Sequence, residues 1–351
     1  MTQQAASPAP TTGNEPAPPA RPSAAPAASA SARPMILTRG GAALAVWVVY
    51  LAVVALLPDA DGALTAPHGP LLSVVGVLTV GLAAWVGAAV ARPASDAAAA
   101  LAHRLPWILF GGAWFIAWQL TTVKSNLLHP PYFAAPEVLL AGLGEDWRLL
   151  LSCLGSSALL FLTGYAIGSV AGFVTGLLMG WSRRADYWLH PLLQTIGPVP
   201  AAALLPLAVL VLPTTYLGAA FIVAFGAWFP MATMTRAGVR AVPRTYIDVA
   251  RTLGADQSFL IRRLAIPAAL PDVLTGLFTG LGTSLAALMT AELVGVDRGL
   301  AWYINWVKGW ADYPRMYVGL VVLIVFCRAL MVLLFKLRSS LLAWQQDLVR
   351  W

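Results

Sequence analysis

Residues 236–267 read RAGVRAVPRTYIDVARTLGADQSFLIRRLAIP and separate two continuous apolar runs, 216–235 and 267–293. Each flanking run is long enough to cross about 30 Å of hydrocarbon as a helix rising 1.5 Å per residue. Neither alternates as a barrel strand would. The stretch between them is basic and regular. Pro243 and Thr245 can open a short helix over Tyr246–Leu253, and Gly254 can close it in the left-handed conformation. Asp256 can cap a second helix running to about Ile266, where Pro267 opens the next span. The expectation is two short amphipathic helices at a right-angle turn, a rigid knob that a soluble partner can hold in a groove. No nucleophile–base pair or metal-ligand cluster accompanies it, so it does not read as a catalytic site.

Outward from that loop the chain stays apolar. Of 351 residues 59% are hydrophobic and 11% charged, where a soluble domain carries about 25% charge; the mean hydropathy is +0.75. So much apolar surface needs lipid as its solvent, and the reading is an all-α, polytopic transmembrane helix bundle. Spans are expected at 40–57, 71–91, 105–122, 152–180, 190–212, 216–235, 267–293 and 316–335. The run 190–212 carries Pro191, Pro198, Pro200 and Pro206, which interrupt its helix. Residues 1–37 are rich in Pro, Ala and Ser, bury almost nothing and are expected to be a disordered tail. They lack the basic and apolar regions of a signal peptide.

The charge of +7 follows the membrane rather than nucleic acid, because the basic residues lie between apolar spans. With the amino terminus inside and eight alternating spans, sixteen of the 22 Lys and Arg fall on the inner side and five on the outer. That bias puts both termini and the loop 236–266 in the cytoplasm. Residues 126–151, with turn-forming prolines and then an amphipathic stretch with Trp147, read as an outer-surface helix. Residues 296–315 are rich in Trp and Tyr, which interfacial anchoring accounts for; a release or docking surface is the sharper alternative. Cys153 and Cys327 sit in or beside apolar runs and read as packing residues.

Within the spans, Gly164, Gly168, Gly172, Gly176 and Gly180 recur at every fourth position, a stripe suited to close helix–helix packing. Glu292, in TAELVG, is the best candidate for the translocation path or its gate, since a carboxylate in a span is costly in lipid. Gln194, Thr195, Met234 and Thr235 are weaker candidates for the path. Asp272 and Arg328 read as structural.

The loop resembles the Glu-Ala-Ala signature of bacterial ABC import permeases. Asp248-Val249-Ala250 is followed after three residues by Gly254 and after nine more by Leu264-Ala265-Ile266-Pro267, with Asp standing for Glu. The resemblance extends from about residue 105 to the end through PEVLLAGL, LHPLLQTIGPVPAAALLPLAVL, AFGAWFPMATMTRAGV, PAALPDVLTGL and TAELVG, and it is similar to the nitrate, sulfonate, taurine and bicarbonate branch. It implies a type I importer permease core of about six helices over 105–351. The two helices in 38–104 are then additional, expected as peripheral scaffold. It implies a small solute, an oxyanion among the candidates, delivered by an extracytoplasmic substrate-binding protein in a bacterial inner membrane. It also implies a second permease copy and separate ATPase subunits that bind ATP and Mg and contact Tyr246, Asp248, Ala250, Leu253, Gly254, Ala255 and Arg262. No cofactor is expected in this chain, which has no Walker loop and so is not an enzyme by itself. The sequence VLVLPTTYLGA departs from the branch, which has a Trp-Phe-Gly-like turn there. An ion-gradient-driven transporter, a membrane-embedded enzyme and a membrane scaffold or sensor are the rival readings. The first lacks a clear repeat with midplane carboxylates, and the second lacks a catalytic constellation among its scattered histidines.

Overall fold

Helix boundaries follow the punctuation of the sequence. The computed structural model describes residues 25–341, so the first 24 residues of the expected tail lie outside the described residues, and from Ala25 onward the chain is helical. The elements are α1 (Ala25–Leu56), α2 (His68–Ala91), α3 (Asp96–Gln119), α4 (Pro136–Trp181), α5 (Arg183–Ile196), α6 (Leu205–Val211), α7 (Thr215–Ala241), α8 (Arg244–Thr252), α9 (Gln257–Phe259), α10 (Ile266–Val294), α11 (Leu300–Gly309) and α12 (Tyr313–Leu341). No strand occurs among the described residues. Side-chain oxygens cap three helix starts: Ser182 accepts from the Ala185 N–H, Thr214 from Leu217 and Asp256 from Phe259.

Six helical stretches are long and apolar enough to cross a membrane: Ile36–Leu56, His68–Ala91, Pro136–Trp181, Thr215–Ala241, Gln257–Val294 and Tyr313–Ser340. Two expectations are corrected. The run 190–212 is not one helix, because Gly197-Pro198-Val199-Pro200 bends the chain by 91° between α5 and the segment Ala201–Val211, which counts as a seventh crossing only as a broken pair. The run 105–122 lies within α3 and the π-helical turn Leu120–Lys124 that continues it. The outer-surface helix expected before residue 152 is instead the first part of α4, whose 46 residues rise about 69 Å, well beyond one bilayer core.

Two compact units emerge. The first comprises the chain to Leu56 and Leu72–Ala117. Its core joins Ile36, Ala43, Leu82, Val86, Ala98, Leu101 and Leu105, and Trp47 donates to the Ile108 carbonyl at 3.2 Å. The second comprises Leu57–Leu71 and Trp118 onward. Its centre is α7, with α4 and α10 packed along it.

All five glycines of the four-residue stripe face α7. A methyl group at Gly164, Gly172 or Gly176 would lie 2.5–2.8 Å from the carbonyl oxygens of Ala220, Trp228 and Ala232, and one at Gly168 would run into the Ala224 carbonyl. Only hydrogen fits, and the backbones close to a distance at which dispersion and Cα–H···O contacts accumulate along several turns. On the other side, Pro230 has no N–H for the Gly226 carbonyl, and Thr283 of α10 donates to that carbonyl at 2.6 Å instead. Ser284 donates to the Val223 carbonyl at 3.0 Å, so two hydroxyls fix α10 on α7.

Candidate coupling corner and translocation face

The loop 236–266 folds into a corner whose shape is set by hydrogen bonding. α8 ends in a Schellman motif: the Gly254 N–H donates to the Arg251 carbonyl at 2.9 Å and the Ala255 N–H to the Ala250 carbonyl at 3.0 Å. Gly254 has φ +87° and open space around the position of a Cβ, so its constraint is the backbone conformation itself. Asp256 then caps α9 by accepting from the Phe259 N–H at 2.8 Å. The second arm is not the separate short helix expected. α9 passes through a π-helical turn, Leu260–Ala265, into α10, and Pro267 sits inside an unbroken helix from Gln257 to Val294.

The corner exposes Tyr246, Val249, Leu253 and Phe259, with Leu253 82% exposed, while Leu260 and Ala265 are buried beneath it. Tyr246, Val249 and Leu253 stand three and four residues apart and share one side of α8. Asp248 and Arg251 line a cleft of about 730 Å³ with Arg183, Arg240, Arg244 and Gln257. Arg262 is exposed. Asp186 on α5 holds Arg236 at 2.6 Å and Arg240 on the last turns of α7.

The residues expected on the path are not brought together. Glu292 is 1% exposed, and its Oε2 accepts from the Ala301 N–H at 2.8 Å. Beside it, Ser157 of α4 accepts from the Leu300 N–H at 2.8 Å. Glu292 is thus a cap on α11, corrected from a lining group, and Gly299 is pressed against its carboxylate. Thr235 is fully buried against Gly176 in the α4–α7 seam, a packing residue rather than a lining one. Gln194 and Thr195 are exposed on α5 just ahead of its bend.

A different set of polar residues does face outward from a span. The exposed positions of α10 between Ala268 and Leu293 are Thr275, Thr279, Gly282, Thr283 and Ala286. No large apolar side chain is exposed there, whereas α12 exposes Val321, Ile324, Val325 and Leu333. A cavity of about 380 Å³ lies between this face and the α5–α6 bend, lined by Gly197–Ala202, Phe225, Gly226, Phe229, Pro230, Thr283, Ala286, Ala287 and Thr290. The sequence held a signal for it, a threonine every four residues in an otherwise apolar run. Among the described residues no group of His, Cys, Asp and Glu is placed to hold a metal ion.

The loop between α1 and α2 carries its own polar group. Lys124 donates to Asp59 at 2.7 Å and to the Leu57 carbonyl at 2.6 Å, and His68 lies 3.1 Å from Asp59. Burial opposes the Asp59 carboxylate, but the Lys124 hydrogen bond and the charges of Lys124 and His68 outweigh it and hold its pKa below the usual value.

Comparison with known proteins agrees with these features. Residues 164–343 match the family of binding-protein-dependent transport system inner membrane components. The Bacillus subtilis permease SsuC, assigned to aliphatic sulfonates transport, is 30% identical over 237 residues, 67% of this chain and 84% of that protein. The bicarbonate transport system permease protein CmpB of Synechococcus elongatus is 30% identical over 184 residues, 52% of this chain and 64% of that protein. A chain of the MetNI methionine ABC transporter, solved in inward-facing conformations, aligns at 18% identity with a TM-score of 0.49, over 56% of this chain and 98% of that one. With the matched region running from the glycine stripe of α4 through the coupling corner and α12, the chain belongs to the family of binding-protein-dependent transport system inner membrane components, the membrane-spanning permease subunits of ABC importers.

Proposed function

We propose that this chain works as one of two identical copies around a solute path, and that ATPase subunits grip it at the α8–α9 corner. The observation that carries this reading is the corner itself: three apolar side chains on one side of α8, exposed to water on a hydrogen-bonded turn that cannot flex cheaply. Leu253 and Tyr246 supply the apolar contact, Gly254 and Ala255 the shape, and Arg262 a charge at the edge. Asp248 lines the arginine-rich cleft beside the corner. ATP and Mg belong to the ATPase, and this chain has no catalysis of its own.

The excess of Lys and Arg beside the corner supports a cytoplasmic location for the loop and both termini in a bacterial inner membrane. A binding protein delivers the solute to the opposite side, where α11 and the outer end of α4 lie. The solute is small, in the range spanned by the aliphatic sulfonates and bicarbonate for which the relatives are named. The additional helices of the first unit are read as scaffold. The reading is tested by purifying a tagged chain, expressed with the ATPase and binding protein encoded beside it, in detergent. An ATPase is expected to co-purify with the native chain, and Leu253→Asp is expected to release it while the chain stays in the membrane. Retention of the ATPase by Leu253→Asp overturns the proposed contact.

A further inference from the structure

The arginines beside the corner gather where little in the fold neutralises them. The cleft of about 730 Å³ is lined by Arg183 at the start of α5, Arg240 at the end of α7, and Arg244 and Arg251 on α8, against the single carboxylate of Asp248. Arg240 is accounted for by its ion pair with Asp186 and by the negative end of the α7 dipole. Arg183, Arg244 and Arg251 are in no ion pair among the described residues. Asp248 stands four residues after Arg244 and three before Arg251, the spacing at which helical side chains meet, and still pairs with neither. The bias of Lys and Arg toward one membrane face places basic residues there, but it does not bring them from three helices into one hollow.

α8 presents two unlike sides. At about 3.6 residues per turn, Arg244, Asp248 and Arg251 fall on one side and Tyr246, Val249 and Leu253 on the opposite one. The apolar side is the one assigned above to the ATPase, so the cleft is a separate surface. None of the nine residues of α8 is buried, and a helix this short draws its stability from packing. Its basic side therefore lacks a counterpart. A guanidinium is a planar fork of donors that matches the oxygens of a phosphate. An anion set between Arg183 and the two arginines of α8 relieves their mutual repulsion and ties α8 to the start of α5. Trp181, the last residue of α4, belongs to the same lining, and tryptophan is a residue type that sits at headgroup level in a membrane interface. The volume falls within the roughly 300–1,000 Å³ typical of ligand pockets, ample for a phosphate with an organic group attached.

We propose that this cleft is an anion site that takes an anionic phosphate group, held by Arg183, Arg244 and Arg251. The headgroup of an anionic lipid and a free phosphate share that chemistry, and the test separates them. The whole complex, purified with its ATPase in a neutral detergent and stripped of lipid, is melted over a range of ligand concentrations at equal ionic strength set with sodium chloride. The ligands are soluble dioctanoyl-phosphatidylglycerol, dioctanoyl-phosphatidylcholine and inorganic phosphate. A ligand of the folded state raises the melting temperature with its concentration. Phosphatidylglycerol or inorganic phosphate is expected to do so where phosphatidylcholine and chloride do not. A rise with the lipid alone makes the source a headgroup, and a rise with phosphate makes it the free ion. Arg244→Gln with Arg251→Gln is expected to weaken the apparent affinity about tenfold or more, as loss of charge-assisted hydrogen bonds does. Arg184→Gln with Arg263→Gln removes the same charge from exposed positions outside the cleft and is expected to leave it unchanged. Equal effects of the two pairs, an equal rise with phosphatidylcholine, or no rise with either anion overturns the proposal. Co-purification of the ATPase keeps this site apart from the coupling contact. The cleft pair is expected to retain the ATPase, where Leu253→Asp releases it; its loss from the cleft pair assigns these arginines to the ATPase contact and overturns the anion site. Absence of an ATPase from the native preparation sinks the coupling reading, while melting of the full chain still judges the cleft.

Discussion

Glycine serves the α4–α7 seam and the α8–α9 corner for opposite reasons. In the seam the backbone is ordinary helix and the space is missing: at Gly168 a methyl group meets the Ala224 carbonyl. At the corner the space is open and the backbone is unusual: Gly254 has φ +87° and nothing within 4 Å of a Cβ position. One glycine is required by packing and the other by a dihedral angle. The first should therefore fail in folding and the second in transmission of force.

The largest effect is expected at the seam. Gly168→Val should destabilise the protein by about 3 kcal/mol, the upper range of overpacking a filled contact, and reduce the monodisperse fraction on size exclusion. Gly155→Ala on the same helix, where nothing lies within 4 Å, should leave it unchanged. Equal yields from both variants break the distinction. At the corner, Gly254→Val forces a branched side chain into the left-handed region at a cost of about 1–2 kcal/mol. Because that strain is confined to the corner, the melting temperature should fall by only a few degrees while ATP-driven uptake is lost. Gly254→Asn, which tolerates the left-handed region, should recover much of the uptake; failure to do so shows that the dihedral is not what matters.

A smaller effect sharpens the view of Glu292. Glu292→Ala leaves the Ala301 N–H without its acceptor and should cost about 1–2 kcal/mol, as lost helix caps do. Glu292→Gln keeps an acceptor and should recover most of that stability and uptake. An equal loss of uptake in both, at native melting temperature, returns Glu292 to the path. The smallest change is expected in the loop between α1 and α2. The depressed pKa of Asp59 means its contribution is present above the unfolded-state value near 3.9 and is lost as pH falls through the folded value. Protection of the Ala60 amide, whose N–H donates to the Val123 carbonyl at 2.9 Å, should fall at low pH relative to the intrinsic exchange rate at the same pH, and Asp59→Asn should show that lower protection already at neutral pH.

These contrasts also explain what the sequence disclosed. Gly164 to Gly180 could be read because a period of four survives translation into a helix stripe without knowledge of the neighbour. The corner could be read because Pro243, Gly254 and Asp256 act on their own backbone. Glu292 could not, since its Oε2 accepts from the Ala301 N–H nine residues further on, brought back by the turn at Gly299. Thr235 looked like a lining residue because hydroxyls bear no mark of which side of α7 they occupy. The 91° bend was visible as a cluster of prolines, but not its angle, and the length of α4 was hidden by Glu145, Asp146 and Arg148, which read as a surface break.

The unbroken helix from Gln257 to Val294 has a mechanical consequence. Its 38 residues form a rod of about 57 Å, rooted at the corner and keyed to α7 by Thr283 and Ser284. A tilt of about 5° at its inner end, levered over that length, swings its outer end by about 5 Å, roughly the width of a small solute. Under the coupling role proposed above, leverage of this kind would let a modest torque at the corner move the far end of the rod with no relay of rearranging side chains between them.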